Sequence, residues 1–301
     1  MIKKYTNADF SENGYSNAGI ILNKKKCQNL RDFINSYRPV KKSIFYQSEK
    51  DFKRSGRYKN YAPGPGHNFL EQCDTSFIEQ DERFIKFCSD LMGEGYEIFK
   101  KSIIRSTPER QLPRWLKKKL VDVGRPNLNP YIKNEFQDVQ FFLCTDFHQD
   151  KTRQESEFVT VYIYLDKVSS NSSALNIILG SHKLGFTSYP HILRKSSINR
   201  EWHYNDMHGN YLPCKELIVT GNAGSVVAFH NLTLHGTNIN NDLDPRISLR
   251  YLIKNRNKVD STFTSSNKKV FGKLFNDKPR LDVSEIGEII PMGSNLILNK
   301  K

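Results

Sequence analysis

Long apolar runs are missing from this chain. No stretch approaches the roughly 18 consecutive apolar residues needed to span a bilayer, and the mean hydropathy is −0.62. Lys3 and Lys4 have no apolar segment behind them, so no secretory signal is expected and the cytoplasm is the expected location. Cysteine is sparse as well. Cys27, Cys73, Cys88, Cys144 and Cys214 are odd in number and scattered, with no Cys-x-x-Cys pair. That pattern argues against a thiolate zinc site or a dithiol redox centre and suits reduced thiols filling a core. Acidic residues are outnumbered, 32 against 46 basic ones, for a net charge of +14. The excess favours anionic partners through the summed field. Its short runs, Lys24–Lys26, Lys117–Lys119 and Lys268–Lys269, are dispersed and read as solvated faces. No nucleic-acid motif accompanies them, so nucleic acid is not the expected partner.

What the chain does contain is a metal-ligand pattern with context on both sides. In Phe147-His148-Gln149-Asp150, an extended backbone would aim His148 and Asp150 to one side and Gln149 away. His235 lies far downstream and can close a set of two imidazoles and one carboxylate, which holds one face of an Fe(II) octahedron and leaves three positions open. The runs Val139–Cys144 and Phe158–Leu165 read as strands, as does Gly224–His230. Residues 246 to 253 form a further strand, whose alternation puts Arg246, Ser248 and Arg250 on one face. An arginine directed into a strand-lined interior requires an anionic partner, and its planar fork suits a dicarboxylate.

The triad, the arginine eleven residues after the distal histidine, and Leu179-Gly180-Ser181-His182-Lys183 together resemble the phytanoyl-CoA dioxygenase family of Fe(II)- and 2-oxoglutarate-dependent oxygenases. The resemblance extends to Phe10–Tyr15 and Cys27-x-x-Leu30-Arg31, which fit the family's opening strand and helix, and covers roughly residues 8 to 255. It implies that His148, Asp150 and His235 ligate iron and that Arg246, helped by the Thr237 hydroxyl, pairs with the far carboxylate of 2-oxoglutarate. Tyr162, eighteen residues before Gly180, falls where the family has an aromatic contact to that co-substrate. Ser248 joins Arg246 on the co-substrate side, and a family lysine corresponds to Lys100 or Lys101. The family's usual Asn-Gly is here Ser172-Ser173, and its usual proline before Gly180 is Leu179. Both departures are expected to alter the shape of a turn more than the chemistry. A carboxylate at Asp150 is expected to favour hydroxylation, because related halogenases have a small residue there and keep that position for chloride.

The expected fold is a mainly β double-stranded β-helix, a cupin-like jelly roll with flanking helices. Residues 1–301 form a single domain, with a core of about 8–255 and a C-terminal extension over 256–301. The expected co-substrates and cofactors are Fe(II), 2-oxoglutarate and O₂, with ascorbate as an accessory reductant. The expected primary substrate is a small, anionic molecule. A non-catalytic binding or sensor protein on the same barrel, and an oxygenase acting on a macromolecule, are the competing readings.

Elsewhere, Leu30, Phe33 and Ile34 are expected to pack from a helix over about 25–37, and Phe84, Ile85, Phe87 and Cys88 from one over 81–91. A short strand is expected at Tyr96–Phe99. Residues 41–72, with Tyr46, Phe52, Tyr58, Tyr61 and His67, read as a loop. Residues 106–135 read as an insertion beside the iron, either substrate wall or cover. Residues 183–215 are either a lid supplying cations from Arg194, Lys195 and Arg200 or a solvated loop. His182 and His230 are expected to be structural.

Overall fold

Strand alternation in 159–164 and 246–254 decides how the layers stack. In the computed structural model, Val161 and Ile163 of β5 (Val159–Tyr164), with Leu249, Tyr251 and Ile253 of β12 (Arg246–Lys254), are buried against the helices. The alternate residues Tyr162 and Tyr164 face the opposite way, into a second core with Leu175 and Ile177. One sheet therefore has helices on its outer face and another sheet across its inner face. The structure describes residues 7–56, 69–123, 128, 131–136, 138–150, 157–187, 192–196, 201–205, 210–257, 259–271, 288–290 and 297–299.

The helix-backed sheet has six strands in the order β1 (Tyr15–Ile20), β10 (Ser225–His230), β5, β12, β2 (Glu97–Ser106) and β3 (Gln140–Phe142). The second also has six, in the order β4 (Thr145–His148), β11 (His235–Thr237), β6 (Leu175–Leu179), β9 (Tyr211–Val219), β8 (Trp202–Asn205) and β7 (Ile192–Lys195). Within these sheets, pairing is antiparallel except between β2 and β3. The architecture is the expected jelly roll. A crossing at Leu143 and Cys144 carries the chain from β3 in one sheet to β4 in the other, and this crossing delivers His148 to the mouth.

Local signals account for the helical cover. The helix Lys24–Tyr37 starts where Asn23 accepts from Lys26 N at 3.1 Å, and it buries Cys27, Leu30 and Ile34. The helix Glu82–Met92 is capped by Asp81 and stops at Gly93, whose φ is +87°. Two apolar positions depart from expectation: Phe33 and Ile85 are 40% and 39% exposed. Each lies at the edge of its helix's apolar stripe, and Phe33 instead meets Phe69 and Tyr37 ring to ring. All five cysteines are buried and free. Burial pushes the Cys88 and Cys214 thiols up to about 12, as inert packing residues require. Among the described residues no helix is long and apolar enough to cross a membrane.

Several loops expected from the sequence are structured. A helix, Asn7–Asn13, covers most of the segment expected to open a strand, and β1 starts only at Tyr15 before the expected helix Lys24–Tyr37; β2 runs on to Ser106. Phe52 is a core residue on the helix Glu49–Arg54, packed with Tyr46, Trp115 and Tyr131. Apart from Ser106, which ends β2 and lines the pocket, the described part of 106–135 supplies cover on the helix side: Leu112, Leu116 and Ile132 join the same core. Segment 183–215 supplies β7, β8 and the start of β9, so its described part is neither a lid nor a solvated loop. Leu193, Trp202, Tyr204 and Cys214 pack with Phe147 behind the second sheet, while Lys195 pairs with Glu216 at 3.2 Å. Tyr58, Tyr61, His67, His191, Arg200 and His208 lie outside the described residues.

The first residues of the C-terminal extension return to the barrel. In the helix Thr262–Asn267, Phe263 stacks on His230 with centroids 4.7 Å apart, and Asn267 Oδ1 meets His230 Nε2 at 2.9 Å. His182 lies beside His230, its Nε2 3.3 Å from Ser11 O. Both histidines are structural, as expected. Gly14 makes their close approach possible. Its φ is +64°, and an added Cβ would run into Thr233 Oγ1 and lie 2.6 Å from His182 Nδ1. Gly14→Ala should therefore destabilise the fold by about 2–4 kcal/mol, from left-handed strain plus overpacking, read as a lowered chemical-denaturation midpoint. An unchanged midpoint would show that this junction is looser than the contacts indicate.

Candidate active site

Three strands and one loop converge at the barrel mouth. His148 ends β4 and is register partner to His235 of β11, with ring centroids 4.2 Å apart. Asp150 lies two residues past β4, and its Oδ1 is 3.9 Å from His148 Nε2 and 3.8 Å from His235 Nε2. One ligand atom from each residue falls within 4.8 Å of the others. The expected triad is assembled, and two imidazoles with one carboxylate are a donor set suited to Fe(II).

Neighbouring groups orient each of these ligands. His235 Nδ1 lies 3.0 Å from Thr233 O, which fixes the proton on Nδ1 and leaves the Nε2 lone pair toward the site. Thr160 Oγ1 donates to Asp150 Oδ2 at 2.7 Å, and Arg250 Nη2 donates to Asp150 Oδ1 at 2.8 Å. Gln149 points away, as alternation predicts, and is far from idle. Its Nε2 donates to Gly185 O and Leu232 O at 2.8 Å each, and its Oε1 accepts from Thr187 N at 3.1 Å. This residue pins the loop between the two β4 ligands.

Electrostatics keep the ligands in their coordinating forms. Burial alone would raise the Asp150 pKa, but Arg250, the two imidazoles and the Thr160 hydroxyl hold it well below the usual carboxylate range. Burial, then the neighbouring His148, push His235 down to about 3. An unprotonated imidazole and an ionised carboxylate are the states that bind a metal.

The pocket continues from the triad along the inner face of β12. Arg246 is 3% exposed, its guanidinium donates to Ser248 Oγ, and it lies 5.9 Å from the Tyr164 ring centroid. Its Nε is buried without a hydrogen-bond partner, as are Ser106 Oγ and Ser173 Oγ, and all three residues line the pocket. Thr237 also lines it, with its hydroxyl accepting from Thr145 N at 2.9 Å. Tyr162 lines it directly opposite Arg250, its phenol pKa raised by burial. Ser248 is fully buried behind Arg246 and orients it without lining the pocket. The orphaned donors fit an anion's oxygens, so the pocket suits a 2-oxo acid with a second carboxylate.

Strand direction separates the two lysines. Lys101 points to the helix side and pairs with Glu79 at 2.8 Å, whereas Lys100 shares the inward face with Ser102, Ile104 and Ser106. Lys100 is nevertheless exposed, and it is not among the residues that line the pocket. The turn at Ser172-Ser173 departs from expectation, because Ser173 contributes a side chain to the pocket as well as shaping the chain. Gln149, Thr160 and Ser106 carried no sequence signal. Arg250 did carry one, since it shares the face of Arg246 two alternations further on.

Topology and site together define a 2-oxoglutarate-dependent oxygenase with iron and 2-oxoglutarate as its cofactors. Residues 109–248 match the family described as phytanoyl-CoA dioxygenase (PhyH). The matched segment includes the triad, Tyr162, Thr237, Arg246 and Ser248. No curated protein matches. Among solved structures, the chain is similar to the non-heme alpha ketoglutarate dependent epimerase SnoN from nogalamycin biosynthesis, at 14% identity, 83% of this chain, 81% of that one and a TM-score of 0.48. It is also similar to EvdO2 from Micromonospora carbonacea var. aurantiaca complexed with 2-oxoglutarate, at 14% identity, 85% and 92% coverage and a TM-score of 0.48.

Buried histidines also set the acid limit of the metal-free protein. His235 and His230 are held near 3 and 4 by burial, and His182 well below its ordinary value, against roughly 6.5 when unfolded. The unfolded chain therefore binds more protons below pH ~6.5. Stability is fully present above that value and is lost as pH falls, by up to about 1.4 kcal/mol per pH unit for each histidine. Urea midpoints measured from pH 7.5 to 4.5 should fall steadily below pH ~6.5; a flat profile would contradict buried neutral imidazoles.

Proposed function

We propose that this protein is an Fe(II)- and 2-oxoglutarate-dependent hydroxylase of a small anionic substrate. One observation carries the reading: the three ligand atoms within 4.8 Å open into the same pocket as a buried arginine with an unpaired Nε. His148, Asp150 and His235 hold the metal. Arg246, oriented by Ser248, takes the far carboxylate of 2-oxoglutarate, with Thr237 beside it and Tyr162 along its length. When bound, iron and 2-oxoglutarate supply oxidation of a C–H bond by O₂, releasing succinate and CO₂, with ascorbate as an accessory reductant.

The remaining work falls to the chain. Thr160 and Arg250 hold the Asp150 carboxylate, Thr233 O holds the His235 tautomer, and the apolar residues Phe142 and Leu175 restrict water in the pocket. Asp150 fills the position a halide would need, which supports hydroxylation. Charge supports an anionic substrate. Asp150 is the one carboxylate among the described lining residues, against Arg246 and Arg250. A ferrous ion and a 2-oxoglutarate dianion cancel each other, so one positive charge is left uncompensated. Phe263 stacking on His230 supports treating residues 1–301 as one oxygenase domain.

The test is an anaerobic titration of Fe(II) and 2-oxoglutarate, followed through the visible charge-transfer band of the chelate. His235→Ala should abolish the band. Arg246→Ala should weaken 2-oxoglutarate binding by 10–100-fold, the loss expected for a charge-assisted bond. Asp150→Ala should abolish succinate formation, and full activity in that variant would remove Asp150 from the triad. Native protein that binds neither iron nor 2-oxoglutarate would overturn the reading.

A further inference from the structure

Ser173 is the one described non-glycine residue with a positive φ, at +58°. Glycine enters that region freely, and a Cβ is penalised there. The strained residue is fully buried, and its hydroxyl lines the pocket without a hydrogen-bond partner. Ser106, 2% exposed, presents a second unpartnered hydroxyl. Register places Ser106 directly opposite Arg246 on the neighbouring strand. Asn240 ties the two serine segments together, since its backbone bridges to Ser172 and its Nδ2 donates to Ser106 O at 3.2 Å. Two orphaned hydroxyls and the orphaned Arg246 Nε therefore gather at one end of the pocket.

Burying one unpaired polar group is costly, and burying three together without a purpose runs against how interiors are built. The described lining residues at this end include no carboxylate, so all three groups can donate at once to an anion. The Thr237 hydroxyl is already engaged with Thr145. We propose that Ser106 and Ser173 complete the seat of the co-substrate's far carboxylate beside Arg246, Ser173 adding a hydroxyl at a left-handed position where the family's usual residue is glycine. The proposal rests on the oxygenase reading and adds two binding residues to it.

Opposed signs make the test decisive. Ser173→Gly removes both the strain and the unpaired hydroxyl, which outweighs the greater freedom of glycine when unfolded, so the metal-free Tm should rise by about 2 °C. The same variant should bind 2-oxoglutarate about tenfold more weakly in the anaerobic titration. Ser173→Ala and Ser106→Ala should show a similar loss. Fe(II) binding alone should be unchanged in all three. So should binding of pyruvate to the iron-loaded protein, since pyruvate is a 2-oxo acid without a far carboxylate. Native 2-oxoglutarate affinity in the two alanine variants overturns the proposal, as does equal weakening for pyruvate. A lowered Tm for Ser173→Gly overturns the strain argument. If the native protein binds iron but not 2-oxoglutarate, the co-substrate reading fails first and is recognised separately.

Discussion

One buried carboxylate sets the terms for the rest of this barrel. Taking an ionised carboxylate out of water costs several kcal/mol unless its charge and lone pairs are met. Asp150 is met on both oxygens, by Thr160 from β5 and Arg250 from β12, while it belongs to the loop after β4. Those partners lie in the helix-backed sheet, and β4 lies in the other. The ion pair thus closes the two sheets over the mouth where the histidines converge. Asp150 would hold the metal while paired with Arg250, so one carboxylate would serve both as ligand and as clasp.

The outer parts of the molecule protect that arrangement from two sides. Gln149 spans from the ligand loop to Gly185 and Leu232, which fixes the spacing between His148 and Asp150. Behind β4, Phe147 packs edge-on to Trp202, with ring centroids 5.5 Å apart. The strands β7 to β9 thereby brace the residue next to a ligand. One of their cations is spent on this bracing: Glu216 takes both Lys195 and the Trp202 indole N–H.

That His148, Asp150 and Arg246 face one interior was legible in the sequence because alternation is a local rule and the strands around them have period-2 patterns, while their roles came from the family resemblance. The architecture was what that resemblance implied, and the same strands agreed with it. What stayed hidden depended on contacts between distant segments. The basic, histidine-bearing stretch 183–215 looks loop-like because β7 to β9 alternate weakly and bury one face only, against Phe147 and Leu234. Phe52 sits among lysines and reads as a loop residue until Trp115 and Tyr131 close on it. At Ser173 the resemblance marked a turn whose usual residue is glycine, but not that a serine there keeps the positive φ and turns its hydroxyl into the pocket.

Strand β12 works as the ruler of the pocket. Arg246 and Arg250 are four residues apart, about 13 Å along an extended strand, with one at the far end of the pocket and the other at the triad. The same alternation that turns both arginines inward turns Ile247, Leu249 and Tyr251 onto the helix side. A slip of one residue would bury two guanidiniums among those apolar side chains and expel the apolar set into the pocket. Register is therefore specified from both faces at once. The one irregularity in the pairing of β12 with β2 falls between Leu252 and Ile253, beyond both arginines. Regular geometry is kept where the charges must be placed, and the bulge is tolerated where no ligand depends on it.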